Sequence, residues 1–304
     1  MTQKKTPQID LSSGLMLLVL AAIWGGSFFF AEVALKELGP LTIVLHRVFW
    51  AVPVLYFFVK WKGIEIPLTR KAWAAYLVMG ALSNAIPFSL IFWGQTHIES
   101  GLASILNGTT AVFGALVAGV LLVDEPLTPR KIIGALFGVF GVAVIMGLDT
   151  LAHLDPRNLG QLAVIAATFS YALGGVWARK KLSGYPPLMN TLGMLTASVA
   201  WMIPVTLLTE GVPSLDLSLK VWGALLGLAV VCTSLAFLLY FTILARAGAA
   251  NVVLVTLLIP PFAITLGVVF LGETLATEAW LGFALIAMGL AITDGRLWAR
   301  LRGG

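Results

Sequence analysis

The sequence predicts an all-α integral membrane protein of ten transmembrane helices, built as two inverted-topology five-helix repeats around a central cavity. Three observations predict it. Hydrophobic residues make up 59% of the 304 and charged residues 11%, with a mean hydropathy of +0.98, a balance suited to a bilayer and not to water. The apolar residues fall into ten runs near the length of about 20 residues that a membrane-crossing helix needs. The second half of the chain repeats the first.

The spans follow one another with short polar breaks. The first, roughly 13–31, comes after Lys4 and Lys5; nine more follow it, so it reads as a membrane helix and not as a cleaved leader. The second covers 40–59 and carries Arg47 among apolar neighbours. The third (72–95) and fourth (98–122) hold polar residues at helical spacing, and the fifth (131–148) holds Gly134, Gly138 and Gly141 at the small-xxx-small spacing that lets helices approach closely. Spans six to ten run 160–176, 186–208, 219–244, 247–271 and 277–297. The single cysteine, Cys232, lies in the eighth, has no partner for an internal disulfide and reads as a small packing residue.

Basic residues alternate between the two sides. Counting from the N-terminus, alternate segments hold 15 Lys and Arg, and the intervening ones hold only Lys36, Arg157 and Lys220. The positive-inside rule then puts both termini in the cytoplasm of an inner (plasma) membrane protein. Basic loops beside anionic lipid account for the net charge of +5 without nucleic acid.

Sliding the sequence on itself by 147 places Trp24 on Tyr171, Pro40 on Pro187, Gly80 on Gly227, Gly101 on Gly248 and Thr109 on Thr256. A shift of 148 places Glu125 on Glu273, Leu127 on Leu275, Gly134 on Gly282 and Gly141 on Gly289. Two units result, 1–148 and 149–304. Each holds five spans, an odd number, so the second enters the membrane from the opposite side, as in many secondary transporters.

The stretches "IWGGSFF", "GPLTIVLHRV", "DEPLTPRKIIG" and "GETLATEAWLG" resemble the EamA family of the drug/metabolite transporter superfamily, over essentially the whole chain. The resemblance implies a twofold pseudosymmetric ten-helix fold with helices five and ten at the periphery, exporting amino acids or other small metabolites. Read from the residues alone, Glu125 and Glu273 precede helix starts, where a carboxylate meets unpaired N–H groups, and Thr128 fits as a cap.

Inverted repeats place substrate near the midplane of their interface. Trp24 and Tyr171, repeat mates near mid-span, are candidates for an aromatic pair across a cavity, or for simple packing. Trp61, Trp73, Trp93, Trp177, Trp222 and Trp298 lie near span ends and read as an interfacial belt. Tyr76, Gly80, Ser83, Asn84 and Pro87 share one helix face; Ser100, Ser104 and Asn107 share another; Thr168 joins Tyr171, and Thr233 and Ser234 lie mid-span. Each hydroxyl has the competing option of bonding its own helix. Arg47 either binds a substrate carboxylate or ties helices through backbone carbonyls, and the family resemblance, which includes an arginine here, implies a shared structural part. His46 points about 100° away from it. Pro260, Pro261 and Pro87 are candidate hinges.

All 14 acidic residues fall in loops or near span ends, which argues against simple proton antiport and leaves His97, Glu99 and His46 as candidate titrating groups. No phosphate-binding loop, H-E-x-x-H or G-x-S-x-G is present, so neither ATP drive nor an intramembrane enzyme is indicated, and no cofactor or metal is implied. No filter or charge ring suggests a channel. The expectation is a secondary exporter of amino acids, aromatic or bulky ones first, working by alternating access as facilitator or exchanger. The runner-up is export of another small organic metabolite or drug, with proton coupling open. Its partners would be a small-molecule substrate and the lipid bilayer; oligomeric state is left open.

Overall fold

The computed structural model describes residues 11–123, 127–146, 156–247, 252 and 255–294. All regular structure there is helical. We label the segments α1 (Leu11–Ala34), α2 (Pro40–Trp61), α3 (Arg70–Gln95), α4 (Ser100–Leu121), α5 (Pro129–Met146), α6 (Pro156–Lys181), α7 (Pro187–Thr209), α8 (Leu219–Ala247), α9 (Val255–Leu271) and α10 (Thr277–Asp294). The first eight are long and apolar enough to cross a membrane, and α9 and α10 are shorter apolar helices.

Local chemistry sets the ends. Pro40, Pro129, Pro156 and Pro187 open α2, α5, α6 and α7, where a missing N–H costs nothing. Thr69 and Ser218 accept hydrogen bonds from Ala72 N and Val221 N, both 3.3 Å, and Thr128 accepts from Lys131 N at 3.4 Å as expected. Gly63, Gly211 and Gly272, with φ of 65°, 82° and 71°, follow α2, α7 and α9 in the left-handed conformation that ends helices.

Polar side chains hold the turns at one end of the bundle. The Glu210 carboxylate, just past α7, accepts from Leu41 N (3.0 Å) and Thr42 N (2.8 Å) at the start of α2. Glu37 accepts from Ser218 N (3.0 Å) ahead of α8. Glu273 accepts from Ser100 N (2.8 Å) and Gly101 N (3.1 Å) at the start of α4. The last contact corrects the sequence reading. Glu273 does meet the unpaired N–H groups of a helix start, but of α4, more than 170 residues away, because the turn after α9 folds across it. Glu125 lies outside the described residues.

Small residues set the tightest contacts. α5 packs along α10, and a Cβ on Gly141 would lie 2.8 Å from Gly282 O, so the two backbones nearly touch. Their outer faces carry exposed Leu136, Phe140 and Leu281. α1 crosses α9 at Gly25, where a Cβ would lie 2.8 Å from Phe262 Cβ and 3.0 Å from Ile259 O. Gly80 of α3 does the same against α7, at 2.6 Å from Met194 O.

Three spans are wound wider than α-helix in part. In α9 the last residues, Gly267–Leu271, are π-helical. Residues Ala81–Ala85 of α3 and Gly227–Leu235 of α8 are π-helical, and adding the repeat offset of 147 to the first range lands inside the second. In α8 the hydroxyls of Thr233 and Ser234 donate five residues back, to Leu228 O (2.8 Å) and Ala229 O (3.0 Å), matching the wider turn. Such segments concentrate at functional sites. α4 is interrupted instead at Gly108–Thr109, where two turn residues separate Ser100–Asn107 from Thr110–Leu121.

Candidate functional site

Arg47 is the centre of the site. It sits two turns into α2, 6% exposed. Its Nε donates to Thr233 Oγ1 at 3.0 Å, and its guanidinium carbon lies 3.8 Å from the centroid of the Phe88 ring and 5.7 Å from that of Phe92. A desolvated contact of this kind contributes about 2 kcal/mol. The expected tie to backbone carbonyls is not what holds it: among the described residues Nε–Thr233 is the one hydrogen bond that Arg47 makes. The remaining N–H donors of the fork are left for something else.

Aromatic rings line both sides. Tyr171 meets Phe88 edge-on with centroids 6.4 Å apart. Trp24 meets Tyr240 at 5.8 Å and Phe237 at 6.3 Å. The two groups join through α8, since Thr233 holds Arg47 and the neighbouring Cys232 Sγ donates to Ile23 O at 3.1 Å, next to Trp24. Trp24 and Tyr171 thus do not face each other as a bare pair. Each belongs to its own aromatic group, with the arginine beside the second. Phe88, Phe92 and Phe237 escaped the sequence reading because an apolar ring in an apolar span carries no polar signal, and Tyr240 escaped it too.

The remaining candidates divide. Thr233 joins the site directly; Ser234 is fully buried, and its single O–H is shared between Ala229 O and, at 3.2 Å, Ala51 O, which ties α8 to α2. Tyr76 and Asn84 are fully buried and hold α3 to α7, through Asn190 Oδ1 (3.1 Å) and Ser198 Oγ (3.1 Å). Both bonds staple the two helices together. Ser83 donates to Met79 Sδ (3.5 Å) within its own helix. Ser104 and Thr168 are fully buried and donate to Gly101 O and Ile165 O, both 2.7 Å, the local bonding that competes with any ligand role. Ser100 uses its backbone N–H for Glu273. Asn107, at the break in α4, keeps a buried Oδ1 without a hydrogen-bond partner. Pro87 stands two residues past the π-segment of α3, and α9 stays helical through Pro260 and Pro261.

A cleft of about 220 Å³ opens between α4 and α6, lined by Thr110, Gly114, Leu122, Tyr171, Gly175 and Arg179 among others. Tyr171 belongs both to this cleft and to the aromatic group around Arg47. A Cβ added to Gly114 or Gly175 would meet nothing within 4 Å, so both glycines face open space.

The EamA-like transporter family matches the chain twice, over residues 12–147 and 158–293. The chain belongs to that family. Its relatives include an uncharacterized transporter of Archaeoglobus fulgidus, 26% identical over 93% of this chain and 97% of its own length. Two proteins named "Probable amino-acid metabolite efflux pump" match over 92% of this chain and 93% of theirs, one of Salmonella typhimurium at 27% identity and one of Escherichia coli at 26%. A solved crystal structure shares the fold, with a TM-score of 0.68 and 20% identity over 95% of this chain and 99% of that one. This EamA-like transporter is therefore a multi-pass membrane protein.

Proposed function

We propose that the chain exports small metabolites from the cytoplasm, amino acids with bulky or aromatic side chains first, by alternating access of two inverted five-helix halves, 1–148 and 149–304. The observation that carries this reading is Arg47: a buried guanidinium, oriented by Thr233 and Phe88, with donors to spare among aromatic rings. A carboxylate takes two parallel N–H bonds from such a fork, and a flat side chain packs on the rings beside it. Relatives named as amino-acid metabolite efflux pumps support the substrate class. The distribution of basic residues supports an orientation with both termini inside, which puts the Glu37, Glu210 and Glu273 turns on the outer face and the Arg179 end of the cleft on the inner one.

Counterflow in proteoliposomes tests it, with phenylalanine, tryptophan, threonine and cysteine at equal pH on both sides. Saturable exchange of free amino acids, absent for their methyl esters, is the expected result. Equal flux of acid and ester would remove Arg47 from the substrate's path.

A further inference from the structure

We propose that Glu32 carries the proton of this transporter, binding it where α1, α3, α4 and the Glu273 turn meet; this rests on the export reading above. Glu32 stands in the last turn of α1, one residue beyond the apolar run by which the span is recognised in the sequence. Its Oε2 is buried and has no hydrogen-bond partner. Beside it lies Gln95 at the end of α3, 3% exposed, whose Nε2 donates to Phe28 O at 2.9 Å. Phe28 is four residues before Glu32 on the same helix face, which sets the amide against the carboxylate. Gln95 Oε1 is likewise buried without a partner, and so is the hydroxyl of fully buried Ser100.

The site is thus poor in partners for Glu32: within it the Gln95 side chain alone favours the ionised form by a hydrogen bond. An ionised carboxylate so placed loses part of its hydration, and its buried Oε2 gains no hydrogen bond in return. The charged groups that act on it come from three elements: Glu273 and Glu99 repel, and exposed Lys36, beyond α1, attracts. Glu273 has both oxygens committed to the N–H groups of Ser100 and Gly101, and Glu99 is paired with Arg157 at 3.7 Å. One proton on Oε2 turns Glu32 into a donor toward Gln95 Oε1 and removes one of the facing negative charges. Because Glu32 and Gln95 belong to the first half and Glu273 to the second, loading that proton tightens the seam that closes this end of the bundle, and releasing it loosens the seam.

Two measurements test the site. Infrared titration of the purified protein, without substrate, should show a protonated carboxylic acid band that vanishes in Glu32→Gln and persists in Glu273→Gln. The Gln variant is isosteric and can itself donate to Gln95, so it folds as the loaded form. In proteoliposomes, phenylalanine or tryptophan counterflow should vary several-fold with pH in the native protein and become pH-insensitive in Glu32→Gln. A band unchanged in Glu32→Gln, or a rate set by a sodium gradient and indifferent to pH, overturns the proposal. Absence of counterflow for every amino acid would sink the export reading alone, and the infrared band would still decide this one.

Discussion

Arg47 shows what one residue does when the membrane denies it water. A free guanidinium there would be costly, and the chain offsets the cost with a ring beneath the cation and a hydroxyl at Nε, which fixes the fork instead of neutralising it. Lysine offers a point charge without that planar fork. Arg47→Lys is therefore expected to raise the half-saturating substrate concentration by about 10- to 100-fold, the worth of a charge-assisted hydrogen bond of about 1.5–3 kcal/mol, with little change in thermal stability. Counterflow titration of the two proteins checks it. At the opposite extreme of exposure stands Glu37, whose hydrogen bond from Ser218 holds its carboxyl below the usual value of 4.5. A depressed native pKa stabilises the fold above the ordinary carboxylate range and loses that contribution as pH falls through the native value. Glu37→Gln should then flatten the acid limb of a plot of Tm against pH; an unchanged limb would mean that the Ser218 contact forms equally in the unfolded chain. The arginine was legible in the sequence because charge inside an apolar run stands out. Glu32 was not, since it falls one residue past the run and its meaning comes from Gln95, which only folding brings beside it.

Among the elements, eight of the apolar runs correspond to helices long enough to cross a membrane, and within the described residues the last two hold shorter apolar helices; the ends agree closely where proline, threonine or glycine marks them. α6 is the exception, running from Pro156 to Lys181, because a helix continues past its apolar stretch into the basic turn after Trp177. The π-segments had no sequence signature, as hydrogen-bond register follows packing more than residue type. The polar runs Ser83–Asn84 and Thr233–Ser234 drew attention to the right turns for a different reason: they hold the α3–α7 and α8–α2 contacts. Gly80 sits just before the first π-segment with α7 backbone against it. Gly80→Ala should lower stability by roughly 1–3 kcal/mol, the usual range for overpacking, since a backbone carbonyl cannot swing aside as a side chain can. Gly223→Ala in α8, where a Cβ would meet nothing within 4 Å, should leave Tm unchanged or raise it slightly by helix propensity. Thermal unfolding of the two variants in one detergent checks the contrast, and equal losses would mean that α3 and α7 yield more readily than their spacing implies.

On the scale of the whole molecule, the two ends of the bundle differ. At one, three carboxylates hold helix starts from distant segments. At the other, α4 and α6 part around a cleft that reaches Tyr171. A protein closed at one end and cleft at the other is what alternating access requires of a single state, and under the proposed orientation the cleft faces the cytoplasm. Substrate would pass from the cleft to Arg47 by way of Tyr171, the residue common to both. Gly175→Leu puts bulk into that path from a position where the added Cβ meets nothing within 4 Å. Flux should fall at least tenfold, a barrier of about 1.4 kcal/mol or more, while Tm holds. Stability measured beside counterflow separates the outcomes: a variant that folds and still transports at the native rate would show that substrate reaches Arg47 by another route, and the cleft would then be a gap between helices filled by lipid.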